Sequence, residues 1–298
     1  MKVPRVLVIG SINMDLVSYS DRIPSLGETI LGNRFAMVPG GKGANQALAA
    51  ARLGASVSML GAAGKDSYGE QLLQHLNNNG VDISRVKRAD TSTGVALINV
   101  DARGNNQIVV IPGANNELAP EDLLQNREIF EACDVVVLQM EIPMATIGQA
   151  IELASGYGKL VVLNPAPAHE IPEAWLSKID YLVPNEHEAD LLGHVKDDFY
   201  FSIRRHLKKS LVITQGAKGV SFSEGKTIVF IPALKVQAVD TTAAGDAFIG
   251  GFSVALAEDR SMEEAIKFAS AAAAISVTRE GAQTSLPYRK EVEEFSGG

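Results

Sequence analysis

The sequence predicts an α/β fold with a mostly parallel central sheet, helices on both faces and a small additional β-sheet. Short continuous apolar segments alternate with helical patterns along the 298 residues, and such strands are typical of sheets covered on both faces. Two regions, 27–38 and 93–111, instead alternate apolar and polar residues, as strands with one buried face do. We therefore predict one domain spanning 1–298, with a small sheet inserted in two parts at about 24–38 and 92–112.

The predicted strands of the central sheet are rich in Val, Ile and Leu: Val6–Ile9, Val57–Leu60, Val135–Leu138, Leu160–Leu163, Tyr181–Val183 and Leu211–Thr214. The helical patterns cover Ala44–Leu53, Tyr68–Asn79, Met144–Ser155, Glu186–Leu192, Ile203–Lys208, Gly245–Ala257 and Met262–Val277. Two further strands, Thr227–Ile231 and Val236–Val239, are predicted before the last two helices, and the residues Asp101–Asn106 predict a hairpin turn in the small sheet. Ligands of such sheets bind beyond the carboxyl ends of the strands, so polar residues at these points are site candidates.

Composition excludes several classes of function. The net charge is −8 and there is no basic run, which disfavours binding to nucleic acid or an anionic membrane. Cys133 is the only cysteine, so no intramolecular disulfide forms, and its apolar surroundings predict a buried, non-catalytic thiol. The apolar N-terminal stretch is too short for a signal peptide and no apolar run reaches 18 residues. We expect a cytoplasmic protein.

The segment Asp240–Gly251 carries the strongest chemical signal. Its small residues precede a helix and would present the backbone N–H groups of Ala243, Ala244 and Gly245 at the helix N-terminus, where an anion is favoured. Asp246 follows directly, and a carboxylate beside an anion hole suits a general base in phosphoryl transfer to a hydroxyl. An ordinary helix start with an Asp in its first turn is the alternative interpretation.

A second segment, Pro39–Ala47, contains three glycines within four residues and leads into a helix. It lacks the spacing of a Walker loop, and the amide of Asn45 can both donate and accept hydrogen bonds. These features fit a polyhydroxylated ligand better than a triphosphate. Asn13 and Asp15 follow the first predicted strand and would bind vicinal hydroxyls at the same edge of the sheet.

Both segments resemble the two signature regions of the PfkB (ribokinase-type) family of sugar kinases, and the resemblance runs from Val6 to about Pro287. The family pattern is also similar at Gly10–Asp15, Pro24–Thr29 and Val277–Ser285. The resemblance implies ATP-dependent phosphorylation of D-ribose at its 5-hydroxyl, with Asp246 as the base. It further implies Mg²⁺ with ATP, activation by K⁺, and a homodimer formed through the small sheet, which acts as a lid over the sugar.

The same resemblance assigns binding residues. The ribose contacts would be Asn13, Asp15, Gly41, Lys42, Gly43, Asn45, Glu141 and Asp246. The nucleotide contacts would be Asn185, Thr214, Gly216, Ala217, Lys218, Gly219, Gly245 and Ser270. Glu188 would act on Mg²⁺ through water, since Mg²⁺ retains its hydration. The K⁺ site would comprise Asp240, Thr242, Ser276, Arg279, Gly281 and Ser285.

Three alternatives stay open at this point: a related kinase acting on another sugar or a nucleoside, a non-catalytic sugar sensor, and a purely structural α/β domain. Retention of Asp246 and the glycines disfavours the sensor. The chain also departs from the family, with Ala247 and Ile249 where relatives often carry Thr and Asn. The stretch between Glu188 and Thr214 is several residues shorter than the family pattern, which indicates a trimmed loop at Val195–Phe201.

Overall fold

The structure, a computed structural model, describes residues 3–192 and 203–297. The strands are β1 (Arg5–Ile9), β2 (Asn13–Tyr19), β3 (Arg34–Gly40), β4 (Ser56–Leu60), β5 (Ala62–Gly64), β6 (Val81–Asp82), β7 (Lys87–Ala89), β8 (Gly94–Val100), β9 (Asn106–Ile111), β10 (Val135–Leu138), β11 (Leu160–Leu163), β12 (Tyr181–Leu182), β13 (Ser210–Thr214), β14 (Gly219–Glu224) and β15 (Thr227–Pro232). The α-helices are α1 (Lys42–Arg52), α2 (Ser67–Asn78), α3 (Pro120–Gln125), α4 (Glu128–Ala132), α5 (Met144–Gly156), α6 (Glu173–Leu176), α7 (Glu186–Leu192), α8 (Ala244–Ala257), α9 (Met262–Ser276) and α10 (Arg289–Gly297).

The central sheet has nine strands in the order β15-β14-β13-β12-β11-β10-β1-β4-β6. It is parallel from β6 to β13, and only β14 and β15 run antiparallel. Strand β1 shows why the strands of the central sheet are continuously apolar. Val6 and Val8 belong to the core on the face covered by α1, α8 and α9, whereas Leu7 and Ile9 belong to the core on the α5 face. The predicted two-layered covering of a mostly parallel sheet is confirmed.

The small sheet has the strand order β3-β2-β8-β9. β8 and β9 form the predicted hairpin, and the carboxylate of Asp101 accepts hydrogen bonds from the backbone of Arg103 and Asn105 in its turn. Two features differ from the sequence prediction. The sheet includes β2, which precedes the predicted insert at 24–38, and the strand predicted at 27–38 spans Arg34–Gly40. The polar residues of β2 concealed its strand character, because they face the site described below.

Two other predicted elements are wrong. Residues 236–239 form no strand, since β15 ends at Pro232 and the N–H groups of Val239 and Asp240 donate to the carbonyl of Val277 at the end of α9. The helix predicted at Ile203–Lys208 is helical only at 203–204, because Lys208 donates instead to the carbonyl of Ile179. The loop predicted to be trimmed, Val195–Phe201, lies outside the described residues.

The composition-based expectations for Cys133 and for membrane spans can also be compared with the structure. Cys133 is 4% exposed, and burial raises the pKa of its thiol to about 12, so the thiolate does not form at neutral pH. In the parts of the chain that the structure describes, no helix has the length and apolarity needed to span a bilayer.

Candidate active site

Two adjoining cavities lie at the carboxyl edge of the central sheet. The smaller, of about 180 Å³, is bordered by Lys42 at the start of α1, Glu188 on α7 and the first turn of α8, including Asp246. The larger, of about 500 Å³, extends over α8 and α9. Thr214 and Gly245 line both cavities. The position agrees with the rule that ligands of parallel sheets bind where the strands end.

Asp246 lies at the floor of the smaller cavity and is 7% exposed. Asn45 donates from Nδ2 to one carboxylate oxygen at 2.8 Å, and Gln46 donates from Nε2 to the other at 2.9 Å. The two donors are consecutive residues of α1, which packs against α8. A Cβ atom on Gly250 would be 2.5 Å from the Cβ of Ala49, so this glycine permits the close approach of the two helices. The predicted base is therefore held by the other signature segment.

The turn before α8 has the geometry of an anion-binding helix start. Ala243 is its N-cap and has φ 59°, in the left-handed region, with no side-chain cap. Within residues 3–192 and 203–297, the N–H groups of Ala243 and Gly245 have no hydrogen-bond partner, while Ala244 donates to the carbonyl of Thr241 at 3.3 Å. Two of the three predicted donors are thus uncommitted at a helix N-terminus, where an anion is stabilised.

The predicted sugar residues converge beside Asp246. Asn13 and Asp15 lie on β2, and the Oδ1 of Asn13 accepts a hydrogen bond from Asn115 at 2.7 Å. Glu141 follows β10 and accepts from the backbone N–H of Lys42 at 3.1 Å. It also accepts from the hydroxyl of Ser11, so it ties the glycine-rich segment to the end of β1.

Gly41 and Gly43 have a packing role that the sequence did not reveal. Gly41 has φ +88°, and a Cβ atom there would be 2.7 Å from the backbone nitrogen of Asn13. A Cβ on Gly43 would be 2.5 Å from the backbone nitrogen of Ser11. These glycines let the start of α1 lie directly against the turn between β1 and β2, which is how the two polar segments come together.

The charges around the cavity are unbalanced. Lys42 interacts electrostatically with four carboxylates, in Asp246, Glu141, Glu188 and Asp15. Burial alone would lower the pKa of Lys42, but these carboxylates outweigh it and raise the pKa. Burial, reinforced by Glu141 and Asp246, raises the pKa of Asp15 to about 7. Burial also raises the pKa of Glu188. One cation among four carboxylates makes a site that favours added cations.

The larger cavity is where most of the predicted nucleotide residues lie. Its lining includes Asn185, Thr214, Gly216, Ala217, Gly219, Gly245 and Ser270. Lys218 is an exception, because it does not line either cavity and its side chain, 70% exposed, pairs with Glu186 at 2.8 Å. Sequence reasoning missed the apolar part of the lining, which includes Leu234, Val236, Phe248 and Val277. Val236 belongs to the segment Val236–Val239, which was wrongly predicted to be a strand.

Asn185 and Glu188 form a reciprocal pair at the start of α7. The Oδ1 of Asn185 accepts from the N–H of Glu188 at 2.8 Å, and the Oε2 of Glu188 accepts from the N–H of Asn185 at 2.9 Å. This capping box accounts structurally for their spacing. Glu188 nevertheless lines the smaller cavity together with Asp246. Within the described residues there is no cluster of three or more His, Cys, Asp or Glu side chains able to hold a metal, so any divalent ion here would depend on water and phosphate ligands.

The residues predicted to hold K⁺ come from two segments that meet at Asp240. Its carboxylate accepts hydrogen bonds from Thr242 in the turn before α8 and from the N–H of Gly281 at 2.8 Å. These bonds outweigh the effect of burial and lower the pKa of Asp240, so it is anionic at neutral pH. Ser276 and Ser285 are fully buried on the second segment. This meeting of a carboxylate with buried oxygen-bearing residues fits a monovalent cation. Arg279, whose backbone carbonyl is the predicted ligand, pairs through its guanidinium with Glu291.

Several buried amides at the site were not found by sequence reasoning. They are Gln46, Asn115, Gln139 and Gln283, together with the half-buried Asn164. Gln139 and Asn164 directly follow β10 and β11, so the rule that polar residues at strand ends mark a site would have identified both. Nothing in the sequence distinguishes Gln283, because it reaches the site from a loop near the C-terminus.

Comparison with known proteins agrees with the fold. The chain matches the pfkB family of carbohydrate kinases over residues 3–289, and it belongs to that family. It is 45% identical over 292 residues to the ribokinase of Bacillus subtilis, covering 97% of this chain and 98% of that protein.

Solved ribokinase structures share the whole fold. The ribokinase of Thermotoga maritima superposes with a TM-score of 0.90 at 37% identity, covering 100% of both chains. The ribokinase of Arabidopsis thaliana, solved as a complex with ribose and ATP, also gives a TM-score of 0.90, at 32% identity and with 100% of both chains covered. The central sheet, its helices and the separate small sheet thus form a ribokinase-type fold.

Proposed function

We propose that this chain transfers the γ-phosphoryl group of ATP to the 5-hydroxyl of D-ribose, giving ribose 5-phosphate and ADP. The observation that carries the proposal is the position of Asp246. It is hydrogen-bonded to Asn45 on α1, interacts electrostatically with Asp15 on β2, and lines the smaller cavity together with the turn before α8. Similarity to ribokinases over nearly the whole chain supports ribose as the sugar.

In this proposal Asp246 is the general base. Ribose lies between β2 and the start of α1, with its hydroxyls bound by Asn13, Asp15, Asn45 and Glu141 and by the backbone of the 41–43 segment. Asp246 accepts the proton of the 5-hydroxyl as the oxygen attacks the γ-phosphorus. The amides of Ala243, Ala244 and Gly245 stabilise the charge on the transferring group. ATP occupies the larger cavity, with its adenine near Ser270 and its phosphates along Thr214–Gly219.

Two cations complete the proposed site. Mg²⁺ bound to ATP would offset the excess of carboxylates around Lys42, with Glu188 acting on it through water. K⁺ would be held by the carboxylate of Asp240, the hydroxyl of Ser285 and four backbone carbonyls, those of Thr242, Ser276, Arg279 and Gly281. It would order the turn that presents the anion-binding amides. Because Gly281 already bonds to Asp240, K⁺ would strengthen an existing junction.

The small sheet is proposed as a lid that also forms a homodimer. The strand register aligns Met37, Leu16, Leu97 and Val109 in one row across all four strands. Met37, Leu97 and Val109 are 52%, 43% and 56% exposed. An apolar row of this kind on a four-stranded sheet is an expected site of association, and a second copy of the chain is the partner that we propose.

The test is an ADP-release assay with ribose, 2-deoxyribose, fructose, adenosine and 2-keto-3-deoxygluconate, each in K⁺ and in Na⁺. The proposal predicts turnover dominated by ribose and faster in K⁺. Dominance of another substrate would overturn the choice of sugar, and equal rates in K⁺ and Na⁺ would overturn the cation site. Absence of turnover, with ribose still raising the melting temperature, would favour a sugar sensor.

A further inference from the structure

Two buried amide side chains, those of Gln46 and Gln139, form a hydrogen-bonded series that leads from Asp246 into the protein core. Gln46, 1% exposed, donates from Nε2 to Asp246 Oδ1 at 2.9 Å. Its Oε1 accepts from the Nε2 of Gln139 at 2.6 Å, and Gln139 is fully buried. A Cβ atom on Gly10 would be 1.9 Å from the Oε1 of Gln139, so a glycine at the end of β1 provides the space for this side chain.

The carboxylate of Asp246 sets the direction of both hydrogen bonds in this series. An ionised Asp accepts hydrogen bonds and cannot donate, so Gln46 must turn its NH₂ group toward Asp246. The oxygen of Gln46 then points the other way and needs a donor, which fixes the NH₂ group of Gln139 toward it. Burying amides is costly unless they are bonded, and the Oε1 of Gln139 has no hydrogen-bond partner within the described residues. Apolar residues would therefore fill these core positions at a lower cost in free energy. The arrangement is therefore explained by an effect on Asp246.

We infer that Gln46, supported by Gln139, is a positioning residue that fixes the orientation of the Asp246 carboxylate for proton transfer. This inference rests on the proposed role of Asp246 as the base. Asn45 holds the second carboxylate oxygen and is itself held by Gln283 at 3.0 Å, but the sugar is also expected to contact Asn45. Gln46 and Gln139 are set apart from that role, because both are more deeply buried than Asn45: their exposed fractions are 1% and 0%, against 6% for Asn45.

The pH dependence should report this role. The charged groups that face Asp246 are Lys42 on α1, Asp15 on β2 and Glu188 on α7, and they stay in place when Gln46 is changed. Gln46→Met keeps the length of the side chain and removes the donor. Loss of a hydrogen bond to the charged form raises a carboxyl pKa, so the acidic limb of kcat should move up by about one pH unit.

The experiment compares Gln46→Met, Gln139→Met and Thr146→Val with the wild type for kcat, ribose KM, pH profile and melting temperature. Thr146 is a buried polar residue of α5 that donates to Leu118, and Thr146→Val removes a buried hydrogen bond away from the site. We expect Gln46→Met to lower kcat by about 10- to 100-fold, within the range for misplaced catalytic groups, with ribose KM changed less than about 3-fold. Gln139→Met should shift both kcat and the acidic limb in the same direction by less.

Thr146→Val should keep the wild-type kcat and pH profile. A folded Gln46→Met enzyme with unchanged kcat and pH limb would overturn the inference. If Gln46→Met does not fold, wild-type kinetics in Gln139→Met would overturn it in the same way. The ¹³C chemical shift of the Asp246 carboxyl, without substrate, separates this inference from the proposed function. It should move in Gln46→Met even if the wild type proves inactive on ribose, and an unchanged shift would contradict the inference.

Discussion

At the scale of single residues, the site holds two aspartates in different surroundings. Asp246 accepts hydrogen bonds from two amides. Asp15 accepts none from the described part of the chain, and burial together with Glu141 and Asp246 raises its pKa to about 7. A carboxylate that lacks donors in the free protein has its hydrogen-bonding capacity available for ligand hydroxyls. This difference in environment matches the division of roles between proton transfer and sugar binding.

Asp15 should therefore destabilise the free protein at neutral and higher pH. Its pKa is raised from 3.8 to about 7 in the folded state, so folded protein binds the proton more tightly than unfolded protein, and the free energy of unfolding falls as the pH rises between these values. We expect Asp15→Asn to raise the melting temperature at pH 8 by about 2–8 °C, with no gain below pH 4. Ribose turnover should fall in the same variant.

Thermal unfolding of the sugar-free protein at pH 8 and pH 4 measures this effect. Asp190→Asn is a matched control, since Asp190 is exposed on α7 and the same chemical change there should leave the melting temperature unchanged. Equal melting temperatures of Asp15→Asn and the wild type at pH 8 would contradict the account.

At the scale of elements, the site depends on two helix starts that use glycine differently. Gly43 lets α1 pack against the turn after β1, because a Cβ atom there would meet backbone at 2.5 Å. Gly245, in the first turn of α8, has nothing within 4 Å of such an atom and borders both cavities. The first glycine serves packing, whereas the second leaves room for a ligand.

The same Gly→Ala change should thus have opposite consequences at the two positions. Overpacking by Gly43→Ala should cost about 1–3 kcal/mol, which lowers the melting temperature by about 2–10 °C. Gly245→Ala should leave the melting temperature unchanged or slightly raised, but it should lower kcat/KM for ATP by at least about 10-fold. Melting curves and ATP titrations of the two variants, which control for each other, test this. The reverse pattern would show that the two glycines have been given the wrong roles.

Sequence reasoning identified the strands and helices that can be recognised from neighbouring residues alone. The apolar strands and the helix after Asp246 follow from residues that are adjacent in the chain. The strand Asn13–Tyr19 was missed because the polar residues Asn13 and Asp15 face the site, and site residues disrupt the pattern that identifies a strand. Two amides, Gln46, which bonds to Asp246, and Gln283, which bonds to Asn45, were missed for a related reason. Gln46 and Gln283 acquire their roles only when distant segments meet, and a single sequence carries no record of such contacts.

At the scale of the whole molecule, the small sheet links the proposed sugar site to the proposed dimer interface. β2 carries Asn13 and Asp15, and the next residue, the half-buried Leu16, belongs to the apolar row on the small sheet. A second copy packed on this row would hold β2, and with it one side of the proposed ribose site. Sugar affinity and oligomeric state are therefore expected to be coupled.

Leu97→Asp should dissociate the proposed dimer. A charge placed in the apolar row must lose its water on association, and a cost of about 2 kcal/mol weakens binding about 30-fold. We expect light scattering to give the mass of a dimer for the wild type and of a monomer for the variant, with a raised KM for ribose. Leu124→Asp, at a 48% exposed position on α3 outside the small sheet, should stay dimeric. A monomeric wild type would refute the proposed assembly.

The central claim is that Asp246 acts as the base in phosphorylation of the ribose 5-hydroxyl. The most direct measurement follows ATP and ribose by ³¹P NMR with the wild type and with Asp246→Asn, alongside calorimetric binding of ribose to both. The account predicts ribose 5-phosphate from the wild type, a kcat at least about 100-fold lower in the variant, and a much smaller change in ribose affinity. Normal turnover by Asp246→Asn, or phosphate transferred to a different hydroxyl, would contradict it.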